Sequence, residues 1–142
     1  MMLVAFQWKD RYNLNIPEID KQHQRLFEIG ARVYDLAMSN DSYDHYDEIL
    51  DLLKELLDYT EYHFKFEEEL MSKHQYSGFD QQHDDHIFYV EKIKAISSRD
   101  IDSDQQKATL EIVDFLSEWI SSHIMFSDRK YAMEFKEKGI TF

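Results

Sequence analysis

His63 and Glu67 stand four residues apart. On a helix, at roughly 100° per residue, they lie about 40° apart on one face and reach a common centre. Imidazole nitrogen and carboxylate oxygen without thiolate suit iron, zinc, manganese or copper, so the pair reads as part of a metal site. An HxxxE pair alone is weak, since any helix holds one by chance. Its weight comes from the surrounding stripe: Ile49, Leu52, Leu53, Leu56, Thr60, His63, Glu67 and Leu70 follow one another at three- and four-residue steps, so both polar groups interrupt an apolar face.

Two more histidines interrupt stripes in the same way. His23 falls on the line of Leu26, Gly30, Val33 and Ala37, and His123 follows Ile112, Val113, Leu116 and Ile120. A further segment, DQQHDDHIF from Asp80 to Phe88, offers His83 and His86 ahead of Val90, Ile93 and Ile96. One histidine on an apolar stripe is usually a hydrogen-bonded core residue. Burying several together with Glu67, and no matching basic residue, costs several kcal/mol of desolvation unless a cation lies among them. More than four such donors exceed what one tetrahedral zinc takes, which points to two metals bridged by carboxylates. His45 and His74 lie outside these stripes and receive no role.

Four periodic segments must position these groups, over about 20–38, 43–72, 79–97 and 103–138, after an N-terminal arm (1–17) that contains Trp8. Ser39, Asn40, Asp41 and Ser42 break the first from the second, and Ser77-Gly78 precedes the third. Only three Gly and one Pro are present, too few for many short strands. The expected fold is all-α, an up-down-up-down antiparallel four-helix bundle with an extended arm, as a single domain over 1–142.

Composition narrows the function. Sixteen Lys and Arg against 29 Asp and Glu leave a net charge of −13, which disfavours nucleic acid and anionic membranes as partners. The acidic run from Asp41 to Asp51 reads as solvated surface. With no cysteine there is neither a disulfide framework nor a thiolate site. The start, MMLVAFQWKD, lacks a basic leader and a long apolar run, so a cytoplasmic location is expected.

Taken in order, IDKQH (Ile19 to His23), HFKFE (His63 to Glu67), the third-segment histidines and HIMFSD (His123 to Asp128), with Tyr131 behind it, resemble the hemerythrin family, in particular its single-domain bacterial members. The resemblance runs from Trp8 to the closing YAMEFKEKGITF. It implies two iron ions with an oxo or hydroxo bridge: one held by His23 and His63 with an open position, the other by His86, His123 and one more third-helix residue, with Glu67 and Asp128 bridging. It also implies reversible binding of molecular oxygen and not catalysis, as a carrier, store or sensor, with Phe64, Trp119, Ile120 and Ile124 as a dry wall. The assignment of Asp128 rests on the resemblance alone, because five residues after His123 it stands about 140° round an ideal helix.

Family members usually carry HxxxH in the third helix, and here the spacing from Glu67 puts Gln82 at the first of those positions and His86 at the second. In a regular helix Gln82 lines the site and offers a weaker amide oxygen or yields to water. A bulge at the helix start would instead bring in His83, which shares a stripe with Phe79, His86 and Val90. Periodicity does not separate the two, because His86 belongs to both stripes; reach favours Gln82, with His83 the alternative at the same coordination position. Two rivals remain for the whole chain. A ferritin-like di-iron oxidase would carry Glu-x-x-His on two helices, which this chain lacks; an iron-binding or iron-buffering helical protein is the other.

Overall fold

The computed structural model describes residues 6–39, 44–98 and 104–142. The expected break at Asn40 to Ser42, the start of the second helix at Tyr43, the first residue of the acidic run, Asp41, and the helix start at Ser103 lie outside them. The elements are α1 (Pro17–Ala37), α2 (Tyr46–Lys73), α3 (Phe79–Ser97) and α4 (Gln105–Glu118), the last continuing without interruption through a π-helical segment (Trp119–Asp128) into α5 (Arg129–Glu137). Among the described residues there is no strand, and no helix is long and apolar enough to cross a membrane. α1 packs on α2 and α4, and α2 packs on α3, so the four rods form a helical bundle.

Local chemistry sets the helix ends. Pro17 occupies the first turn of α1, where its missing N–H costs nothing, with Glu18 and Asp20 beside the positive end of the helix dipole. Asp20 Oδ1 also accepts from the Leu14 N–H at 2.8 Å, which ties the arm to the helix it enters. Asp104 caps α4 by accepting from the Lys107 N–H at 3.0 Å. Past α5, Gly139 takes φ 75°, and the N–H groups of Gly139 and Ile140 bond back to Lys136 and Phe135, closing the helix with a left-handed turn that glycine adopts without steric cost.

The arm is not simply extended. It contains one 3-10 turn (Asp10–Tyr12), and Tyr12, Leu14 and Ile16 are buried. Trp8 and Tyr12 pack their rings against Phe27 of α1 at 5.1 and 5.0 Å. Phe6 lies so close to Gly30 that a Cβ there would stand 2.7 Å from its ring, so only glycine admits this contact.

Apolar side chains form two separate clusters. The larger gathers Leu26, Ile29, Leu56, Phe64, Ile112, Trp119 and Ile124 with their neighbours. The smaller holds Leu14, Ile16, Ile19, Met71, Tyr131 and Phe135. Along α1 the sequence passes from Ile19 through His23 to Leu26; along α2 from Phe64 through Glu67 to Met71; and along the fourth rod from Ile124 through Asp128 to Tyr131. A polar layer therefore lies between two apolar ones, and both help to keep water from it.

Candidate metal centre

Every rod contributes to that layer. α1 supplies His23, α2 supplies His63 and Glu67, α3 supplies Gln82 and His86, and the π segment supplies His123 and Asp128. All seven residues are at most 2% exposed. Their ligand atoms fall into two groups, His23, His63, Glu67 and Asp128 on one side and Glu67, His86, His123 and Asp128 on the other, with the atoms of each group within 4.8 Å of one another. The two carboxylates belong to both groups.

The individual distances show how. Asp128 turns Oδ2 to His23 Nε2 and Oδ1 to His123 Nε2, each at 3.1 Å. Glu67 Oε1 lies 3.0 Å from His63 Nε2 and 3.5 Å from His86 Nε2, while Oε2 faces His23 at 3.8 Å. Each carboxylate thus spans from one histidine pair to the other.

The π segment makes Asp128 a member. Residues five apart are not neighbours on an α-helix, but an i→i+5 hydrogen-bond pattern stacks them one turn above the other. His123 and Asp128 consequently present their polar atoms 3.1 Å apart. A reading at 3.6 residues per turn cannot see this.

Outward-facing nitrogens orient the rings. His63 Nδ1 donates to Gln22 Oε1 at 2.7 Å, and His86 Nδ1 to Glu68 Oε2 at 2.7 Å. An N–H at Nδ1 leaves the Nε2 lone pair pointing inward, the tautomer a metal requires. His123 Nδ1 has Asp85 Oδ2 at 3.7 Å, beyond hydrogen-bond range. Tyr131 donates its hydroxyl to Glu67 Oε2 at 2.5 Å. Gln22 and Glu68 carry no signal in sequence spacing, because their partners lie on other helices.

What remains is a set of inward atoms without hydrogen bonds. The Nε2 atoms of His23, His63, His86 and His123, with Glu67 Oε1, Asp128 Oδ2 and Gln82 Oε1, are buried and unpartnered. The four imidazole nitrogens lie 3.0–3.5 Å from carboxylate oxygens of Glu67 and Asp128, lone pair facing lone pair, and only protons or cations reconcile that. In the metal-free chain the groups partition protons unequally. Burial and neighbouring Asp128 push Glu67 up, yet His63 and His86 outweigh them and hold it below its ordinary value. Burial likewise opposes ionisation of Asp128, but His123 and His23 hold it well below the usual carboxylate range. Burial lowers His63 outright. His123 ends raised, because Asp128 and Glu67 outweigh its burial. Tyr131 is driven well above the normal phenol value by burial and the adjacent Glu67. This donor set, rich in imidazole with two carboxylates, fits iron ions in number and in chemistry.

The third helix separates its two candidates. Gln82 is 2% exposed and donates from Nε2 to Asp128 Oδ1 at 3.1 Å. The His83 side chain is 48% exposed, stacks on Phe79 at 6.0 Å, and bonds to Glu68 Oε1 at 2.8 Å. α3 runs regularly through this stretch, without a bulge. Of the expected wall, Phe64, Trp119 and Ile124 are buried in the larger cluster and Ile120 is half-buried at its edge. Phe64 stacks face to face on His86, 3.8 Å between centroids and 3° between planes, with Trp119 5.2 Å behind it.

Bundle and polar layer together define an all-α protein with a buried histidine and carboxylate cluster suited to cations. Comparison with known proteins makes this specific. The family model described as the hemerythrin HHE cation binding domain matches residues 14–135. A bacteriohemerythrin of Clostridium acetobutylicum is 36% identical over 126 residues, covering 89% of this chain and 98% of its own. Another from Stenotrophomonas maltophilia is 30% identical over 129 residues (91% and 80%), and a hemerythrin-like protein of Naegleria gruberi is 28% identical over 129 (89% and 90%). The chain belongs to the hemerythrin family.

Proposed function

We propose that this chain binds molecular oxygen reversibly at two iron ions, one held by His23 and His63 and the other by His86 and His123 with Gln82 beside them, bridged by Glu67 and Asp128. The observation that carries the reading is the pair of four-ligand groups sharing both carboxylates. Two ferrous ions with an oxo or hydroxo bridge, held by these residues, would supply the redox chemistry, two electrons lent to oxygen on binding and regained on release.

The protein's own part is holding and excluding. Gln22 and Glu68 fix the His63 and His86 rings with Nε2 inward. Tyr131 fixes Glu67 from the side of the smaller cluster. Phe64, Trp119 and Ile124 exclude water on the other side, which favours release of oxygen over loss of reduced oxygen species. Four imidazoles against two carboxylates weigh against a carboxylate-dominated di-iron oxidase.

Metal analysis and visible absorption of the iron-loaded protein test this directly. The expected result is two irons per chain and bands that disappear on deoxygenation and return with oxygen over repeated cycles. Steady oxygen consumption under reductant would favour the oxidase reading, and iron loading without reversible bands the buffering one.

A further inference from the structure

We infer that the α3-side iron position accepts a small neutral diatomic ligand of its own, in the place that Gln82 lines, so that the centre has two ligand-accepting positions. The inference rests on the two-iron reading above and deepens it.

The first support is symmetry of donors. Each four-ligand group contains two histidines and the same two carboxylates, so the protein's strong donors are divided evenly. What distinguishes the α3 side is only the Gln82 amide. Its Nε2 is committed to Asp128 Oδ1 at 3.1 Å, and the opposite amide orientation would set oxygen against carboxylate oxygen. Oε1 is therefore the atom that remains, and it is buried without a partner. An amide oxygen is a neutral, weak ligand to iron compared with imidazole and gives way to a competing donor. The bond from Nε2 holds Asp128 in place whether or not Oε1 serves as a ligand.

Access is the second support. A groove of about 800 Å³ runs between α2 and α3; it is lined by Phe64 and by His86, one helical turn along α3 from Gln82, so it approaches the α3-side group without opening directly onto Gln82. Neither His23 nor His63 lines that groove. The same groove shows four glutamates, Glu61, Glu68, Glu69 and Glu91, against Lys65 and Lys73, on a chain of net charge −13. That field repels small anions and leaves neutral diatomics unaffected. The apolar Phe64 ring at its floor favours the same class.

Nitric oxide, a neutral diatomic that binds ferrous iron, is the probe. Iron is counted first on the anaerobic, reduced protein, which is then titrated with nitric oxide and followed by absorbance and by infrared N–O bands with isotopic label. The expected result is two irons and two nitric oxide molecules per chain for the parent, and one nitric oxide for Gln82→His, whose imidazole occupies the second position. Gln82→Ala should still take two. Should Gln82→His fail to fold, Gln82→Glu supplies an anionic ligand at the same place and should also fall to one. Two irons with a single nitric oxide in the parent overturn the inference and leave the two-iron reading intact, and two nitric oxides in a folded Gln82→His or Gln82→Glu protein overturn it as well. Fewer than two irons in the parent overturn the two-iron reading, and the inference falls with it.

Discussion

Replacing Tyr131 by Phe removes one hydroxyl and nothing else. The ring stays in the smaller cluster, 5.6 Å from Phe135 and 6.0 Å from Tyr76, so the packing contribution to any stability change is close to zero. What is lost is the 2.5 Å hydrogen bond to Glu67 Oε2, between two groups with no solvent exposure. Hydrogen bonds to charged groups contribute about 1.5–3 kcal/mol. Here Glu67 Oε1 is already without a hydrogen bond, and the carboxylate is held ionised, so its second oxygen would lose its donor in a place water does not reach. We therefore expect the upper half of that range, about 2–3 kcal/mol. For a chain of 142 residues that corresponds to a fall in Tm of roughly 7–10 °C. The metal-free protein is the form to measure, because a bound cation would share the charge of Glu67. Urea unfolding followed by circular dichroism, in the presence of chelator, reads the difference. A Tyr131→Phe protein within about 0.5 kcal/mol of the parent would refute the reasoning, since it would mean that the buried carboxylate does not depend on this donor.

Three further outcomes follow from the same geometry. Glu68→Gln leaves a neutral acceptor behind His86 Nδ1, and competition titration should show iron on the α3 side bound about 10–100-fold more weakly while the other iron keeps its affinity; equal weakening of both would contradict it. His83→Ala should retain full metal content, because that ring is half in solvent and bonds to Glu68 rather than to the cluster; loss of one metal would place His83 among the ligands. For pH, the folded-state values of Asp128 and Glu67 lie below those of the unfolded chain, near 3.9 and 4.3, so their contribution is complete above that range and disappears as pH falls through the depressed values. Metal-free parent should thus lose stability more steeply below about pH 4 than Asp128→Asn, and parallel curves would show that Asp128 carries no such linkage.

Much of the architecture was readable because burial at helical spacing leaves a periodic trace. The stripes on all four rods announced a helical bundle, and His23, His63, Glu67 and His123 stood out as polar residues on otherwise apolar lines. Asp128 left no such trace: the chain winds at a different pitch from Trp119 to Asp128, and no single-residue signal marks that change. Gln22 and Glu68 were silent for another reason. Each matters through a partner on a different helix, His63 lying 41 positions from Gln22 and His86 lying 18 from Glu68, and local pattern holds no information on such pairs. Gln82 and His83 were inseparable from periodicity because His86 shares a stripe with both; the regular course of α3 turns Gln82 inward and His83 out. The arm shows a similar limit, since a polar-rich stretch gave no hint that Tyr12, Leu14 and Ile16 would be covered.

The wider winding from Trp119 to Asp128 makes this chain unusually sensitive to length at one place. Deleting a single residue there, Ser121 or Ser122 for instance, would change neither net charge nor the inventory of apolar side chains, yet where the wider winding persists it would shift the register of the rod beyond it. Everything downstream would turn with it, by about 100° per residue removed. Asp128 would swing away from His23, Tyr131 away from Glu67, and Phe135 out from the smaller cluster, so one lost codon would undo three contacts in distant parts of the bundle at once. Insertions and deletions should accordingly be tolerated far less well in this segment than in the turns between helices.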